Sequence, residues 1–340
     1  MKNRLHHRRP GDRDAAALPW AMLLLPWTSA TGLLLAWWSW PDLLARQLFL
    51  PLLLSVLLFG LPHGALDHLV PGRLGWRWGR RPLPVLGYCL GYAGVAGLDL
   101  LAWRVAPLPA LWVFLVVSAL HWGQGDLHVL EVRLGRRRPA WWSAPLAIVA
   151  RGSLPIVVPL LAWTGEFDRL ARGAALAFGA TVSAAPLLGP GVRTLLTAGL
   201  TALLVLYVLD TWRAAAPRRA GLELGEAALL LVLFLTVPAP LSIGVYFTLW
   251  HAWRHLGRLC ALGPDPAGAA PRSRTLRLAR DLLPITLAAL ALLGGLFLWA
   301  APRVETVETF TALYLALIAA LTLPHALLVA LMDLRPSQAA

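Results

Sequence analysis

The chain has 340 residues, 58% of them hydrophobic and only 14% charged, which is more apolar surface than one water-soluble core can bury. A soluble globular enzyme and a disordered chain are thereby excluded, and with Cys89 and Cys260 as the only cysteines so is a disulfide-built secreted module. The formal net charge of +13 comes from 30 Lys and Arg residues, all arginine except Lys2; they fall mostly between apolar runs, where they flank membrane spans, and form no basic face interleaved with aromatics for nucleic acid.

What remains is an all-α protein, a polytopic transmembrane helical bundle of roughly eight to ten spans. Residues 1–17 are a basic tail, and residues 18–335 read as one integral-membrane domain with no soluble domain inserted. The first apolar stretch, PWAMLLLPWTSATGLLLAWW, is too long for a signal-peptide core and lacks a clean cleavage site, so it reads as a retained span. Further runs lie at about 44–66, 83–103, 106–128, 140–163, 172–189, 194–212, 225–256, 282–301 and 308–331. The stretch from Glu226 to His255 is too long for one simple span and contains Pro238 and Pro240, which predicts a broken or strongly tilted helix.

Arginine sets the orientation. The N-terminal tail and the loops carrying Arg73, Arg77, Arg80 and Arg81, then Arg133, Arg136, Arg137 and Arg138, then Arg272, Arg274, Arg277 and Arg280 are expected in the cytoplasm, with the chain in the cell (inner) membrane. Ten spans satisfy all four. The loop with Arg213, Arg218 and Arg219 then falls outside, so either the run 172–189 is not a full span or the Pro238 region forms two pieces.

Nine histidines are present, and all but His6 and His7 sit at or near the ends of apolar runs. A titratable ring in hydrocarbon costs free energy, so such a residue faces the protein interior and marks a functional candidate. The blocks are GLPHGALDH (His63, Asp67, His68), ALHWGQGDLH (His121, Asp126, His128), YFTLWHAWRH (His251, His255) and LTLPHALL (His325). On the ten-span reading the helices bearing His63, His121, His251 with His255, and His325 all run from outside to cytoplasm and place these rings at one depth. His251 and His255, four residues apart, share a helix face and suit one metal ion. Taken alone the pair is as well explained by interfacial hydrogen bonding; joined to His63 and His121 it favours a metal site.

Asp67 and Asp126 follow His63 and His121 by four and five residues, a placement in which a carboxylate can accept the second ring N–H of a ligating histidine. The alternative for Asp126 is pairing with a loop arginine at the membrane surface. His68 and His128 read as interfacial groups. His325, after Pro324, can bound the pocket, bond a neighbour or add a fifth ligand, and is placed in the outer shell. Trp122, Tyr246, Phe247, Trp250 and Trp253 flank the proposed ligands and are candidates to line a substrate tunnel, or else are ordinary core or lipid-facing aromatics.

Together, GLPHGALD, HWGQGD, WHAWRH and the C-terminal PH, in this order, resemble the bacterial Brp/Blh family of membrane β-carotene 15,15'-dioxygenases, from about residue 44 to 331. The resemblance implies Fe(2+) held by His63, His121, His251 and His255, with β-carotene and dioxygen as substrates, two molecules of retinal as product, membrane lipid as surroundings and a rhodopsin as a possible acceptor of retinal. The helix before residue 40 looks like an addition to the family core, and Trp122 stands where phenylalanine is frequent. Competing classes are a haem- or metal-binding redox protein, a diiron desaturase, and a transporter or non-catalytic rhodopsin-associated protein. A single HxxxH with no HxxHH argues against the desaturase.

Overall fold

The computed structural model of the protein describes residues 21–55, 60–183, 185–262, 271–303 and 305–334, and those residues are helical or loop, with no strand among them. The basic tail, with His6 and His7, lies outside the described residues. The long helices are α1 (Ala21–Ser39), α6 (Pro82–Val105), α7 (Pro107–Leu134), α8 (Ser143–Ala162), α10 (Pro190–Ala214), α11 (Pro217–Thr236), α14 (Pro271–Ala300) and α15 (Val307–Leu334). Proline opens α6, α7, α10 and α11, where its missing N–H would have had no intrahelical partner. Gly135 ends α7 with a positive φ of 62°, a left-handed cap open to glycine without a Cβ penalty. Among the described residues, seven helices are long and apolar enough to cross a membrane: α1, α6, α7, α8, α10, residues 280–300 of α14, and α15.

Three apolar runs behave differently from the long helices, each for a local reason. Within the run 44–66 the described residues form α2 (Pro41–Ala45), a turn over 46–49, α3 (Leu50–Ser55) and α4 (Leu61–Ala65), followed by a tight turn at Asp67–Leu69 and α5 (Val70–Arg73). Pro51 and Pro71 each stand in the first turn of a new short piece, since a ring without an N–H cannot continue the helix before it. The run 172–189 supplies only the end of α9 (Thr164–Ala177), which has 14 residues and gives way to irregular chain. The run 225–256 splits at Val237, which is extended, and Pro238, neither of them helical. Beyond the split the chain is continuously helical through α12 (Ala239–Val245), a π-helical segment (Tyr246–Ala252) and α13 (Trp253–Ala261).

The two features offered as alternatives for the Arg213 loop are thus both present: the run 172–189 forms no long helix and the Pro238 region is in two helical pieces. Arg137 N–H donates to the Ala214 carbonyl at 2.7 Å, so the loops after α7 and α10 meet at one end of the bundle. Arg136 pairs there with Asp210 and Glu223. Arg73 reaches Asp281 at 3.2 Å and Arg258 pairs with Asp333, which brings the ends of α5, α13 and α15 and the start of the membrane-crossing part of α14 to the same face.

Helices α7 and α8 form the spine. A Cβ on Gly123 would lie 1.9 Å from the Ile148 carbonyl oxygen, and one on Gly152 would lie 1.8 Å from that of Ala119. The two backbones touch only because both positions are glycine, the small-residue packing by which helices approach closely in lipid.

Candidate metal centre and its cavities

The four elements that carry histidines, α4, α7, the π-helical segment running into α13, and α15, all run toward the arginine-rich end. They bring His63, His121, His251, His255 and His325 together, each 7% exposed or less. Ring centroids lie 5.7 Å apart for His63 with both His251 and His255, 4.8 Å for His121 with His251, and 6.3 Å for His251 with His255. The HxxxH spacing does what helix geometry requires: Phe247, His251 and His255 stack along one face, the successive planes tilted by 10° and 12°. The local π-helical register, a feature found often at functional sites, aims this row at the cluster.

Ligand atoms of His63, His121 and His251 lie within 4.8 Å of one another, and so do those of Asp67, His255 and His325. Both ring nitrogens of His121 and the Nε2 atoms of His251, His255 and His325 are buried without a hydrogen-bond partner among the described residues. Buried polar atoms are almost always paired, and a neutral imidazole offers a lone pair suited to a divalent transition metal. The donor set therefore fits a metal ion.

The two carboxylates do not sit as the spacing suggested. Asp67 Oδ2 accepts the Nδ1–H of His325 at 2.7 Å and the Tyr92 hydroxyl at 3.0 Å, so the ring it orients is His325 and not His63; sequence distance had hidden a partner 258 residues away. Asp126 touches no histidine. Its oxygens accept Arg151 Nε and Nη2 at 3.0 and 2.7 Å, Trp250 Nε1 at 3.0 Å and Arg254 Nη1 at 3.0 Å. Glu226 closes the ring, bonded to Arg151 at 2.9 Å, Arg254 at 2.6 Å and Trp27 Nε1 at 2.5 Å. Two carboxylates and two guanidiniums form a neutral buried quartet that, with Trp27 and Trp250, ties α1, α7, α8, α11, the π-helical segment and α13 together. Arg151 and Glu226 were missed by the sequence reading; both interrupt apolar runs, and that was the available signal.

Two cavities flank the cluster. The larger, about 470 Å³, is lined by His63, Asp67, His68 and His325, by Tyr88 and Tyr92, and by small residues of α6 and α14 such as Ala93, Gly97, Ala288 and Ala289. Its rim residues Ile285 and Leu292 are 42% and 44% exposed, so it reaches the apolar outer surface. The smaller, about 130 Å³, is lined by Trp122, Pro155, Ile156, Leu315 and their neighbours, with Glu166, Arg169 and Glu308 at its far end. Phe247 and Ile318 belong to both walls.

Of the five aromatic tunnel candidates, Trp122 and Phe247 thus face cavities. Tyr246, Trp250 and Trp253 line neither, because their rings are committed elsewhere. Tyr246 packs on Phe234 and Trp250, Trp250 bonds Asp126 and lies under the Arg254 guanidinium at 4.3 Å, and Trp253 donates to the Ala21 carbonyl. His68, expected to be interfacial, bonds the Ala65 carbonyl at 2.9 Å and faces the larger cavity; His128 is half-buried on α7, outside the cluster.

Comparison with known proteins agrees with the blocks that carry these residues. The profile of the family described as Beta-carotene 15,15'-dioxygenase matches residues 54–333. A Halobacterium salinarum protein named "Probable beta-carotene 15,15'-dioxygenase Blh" is 34% identical, over 96% of this chain and 94% of its own length. A second from that organism, named "Probable beta-carotene 15,15'-dioxygenase Brp", is 31% identical over 62% of this chain and 58% of its own length. No solved structure matches the chain.

Proposed function

The chain belongs to the beta-carotene 15,15'-dioxygenase family, and from that premise we propose that it holds ferrous iron among its clustered histidines and cleaves the central C15=C15' double bond of β-carotene with dioxygen, giving two molecules of retinal. The observation that carries this reading is the set of buried, unpartnered imidazole nitrogens beside an apolar cavity that reaches the outer surface. His63, His121, His251 and His255 would hold the ion. Iron so bound supplies the one-electron chemistry with dioxygen that a closed-shell polyene needs and that zinc could not offer.

The residues of the chain do the rest. The larger cavity accepts a hydrocarbon from the bilayer, whose core is about as thick as β-carotene is long. Phe247, in edge contact with His63 at 5.6 Å and stacked on His251, and Trp122, 5.8 Å from His251, place aromatic faces where a polyene must pass and keep water out. In the overall change one C=C and one O–O bond break and two C=O bonds form, so no external reductant or net proton is required. The positive-inside rule puts the arginine-rich end in the cytoplasm of a cell membrane, and a rhodopsin in the same membrane is a fitting acceptor for retinal.

Expression in a β-carotene-accumulating bacterium, with chromatography of extracted retinoids, tests the reading. Retinal is expected as the sole cleavage product; unchanged β-carotene in cells containing the inserted protein and iron would overturn it.

A further inference from the structure

Resting on the reading that the histidine cluster holds a metal, we propose that His325 is itself a ligand, a fifth imidazole on the same ion, and that Asp67 is the counter-charge that aims it. The first support is position. The His325 ring lies 5.0 Å from His63, 4.7 Å from His121 and 4.8 Å from His255, whereas the ring contacts among the other four run from 4.8 to 6.3 Å. It stands inside the cluster and not behind it.

The second support is the tautomer. Asp67 accepts the Nδ1–H of His325 at 2.7 Å, which leaves the lone pair on Nε2, and Nε2 is buried with no hydrogen-bond partner. A carboxylate on the far nitrogen is the arrangement that fixes the orientation of a ligating imidazole and raises its basicity. The pair is itself held: the Tyr92 hydroxyl reaches Asp67 at 3.0 Å and the Leu321 carbonyl at 3.1 Å, one turn before His325 on α15.

Charge provides the third. Asp67 is 3% exposed, its Oδ1 has no hydrogen-bond partner and no arginine reaches it among the described residues. An uncompensated buried carboxylate is costly. Asp126, equally buried, is neutralised by Arg151 and Arg254 and has no charge to spare. A dication among neutral imidazoles lacks an anion, and Asp67 lacks a cation; His325 lies between the two.

The test uses the full chain in detergent, stripped of metal and titrated with Co(II) as the probe, read by chelator competition, by the visible ligand-field spectrum and by X-ray absorption. Five imidazoles on Co(II) in the wild-type protein are expected. His325→Ala should weaken Co(II) binding about tenfold or more and change the spectrum, with free imidazole restoring both, and Asp67→Asn should weaken it about 10- to 100-fold. Four imidazoles in the wild type would overturn the proposal without reference to any variant's folding, as would wild-type affinity and spectrum in His325→Ala. A wild-type chain that binds no Co(II) would instead overturn the metal reading on which the proposal rests.

Discussion

Two polar centres share one helical turn. Trp250 bonds Asp126 of the quartet and Arg254 belongs to it, while the next residues, His251 and His255, belong to the histidine cluster. The quartet is balanced in charge: two acids meet two guanidiniums, every carboxylate oxygen is bonded although Arg151 Nη1 has no partner among the described residues, and it touches neither cavity. The cluster is open: several of its nitrogens have no partner and its carboxylate has no cation. Both are buried polar groups in an apolar bundle, and both cost free energy unless satisfied. The chain neutralises the charges of the first with its own side chains, whereas in the second the lone pairs and the carboxylate charge stay uncompensated, which is the difference between a group that braces a membrane protein and one suited to hold a ligand.

That contrast breaks most visibly at the ligands. His63→Ala, His121→Ala, His251→Ala and His255→Ala should each abolish retinal formation while the protein still inserts and purifies, as read by retinoid chromatography and membrane yield; full activity in any two would remove the cluster from the reaction. Arg151→Ala should do the reverse, acting on the fold before the chemistry. It leaves Asp126 and Glu226 short of a partner and should cost about 3–5 kcal/mol, seen as a fall in thermal midpoint that added metal does not repair. A midpoint equal to wild type would mean that the quartet is not a brace.

A smaller loss is expected at the spine. Gly123→Ala drives a methyl group against the Ile148 carbonyl, and overpacking of this kind costs about 1–3 kcal/mol; a fully stable variant would show that α7 and α8 can part without consequence. Smallest of all, Arg138→Ala removes a pair with Glu131 in which the arginine side chain is 60% exposed. It should shift stability by no more than about 1 kcal/mol, and a shift as large as that of Arg151→Ala would erase the distinction between buried and exposed charge drawn here.

The rings were legible in the sequence because each lay on an apolar run of the same parity, and parity depends only on counting traverses. Proline made the broken runs legible in part: Pro238 announced its break, whereas Pro51 fell within a run whose composition still read as one span. The partners of the carboxylates were not legible. Asp67 meets a histidine from the other end of the chain, and Asp126 meets Arg151 across a helix contact that exists only because Gly123 and Gly152 lack side chains. Pairings set by tertiary approach leave no trace in local spacing, although an arginine and a glutamate in mid-run each announce that some partner exists.

The larger cavity meets the outer surface between Leu292 on α14 and Ala93 and Gly97 on α6. A ligand arriving through such a doorway comes from two dimensions, not three, and what governs occupancy is its mole fraction among the lipids, not its concentration in water. Apparent saturation should then shift with the ratio of lipid or detergent to carotenoid at constant total carotenoid, and inert amphiphile should slow turnover by dilution alone.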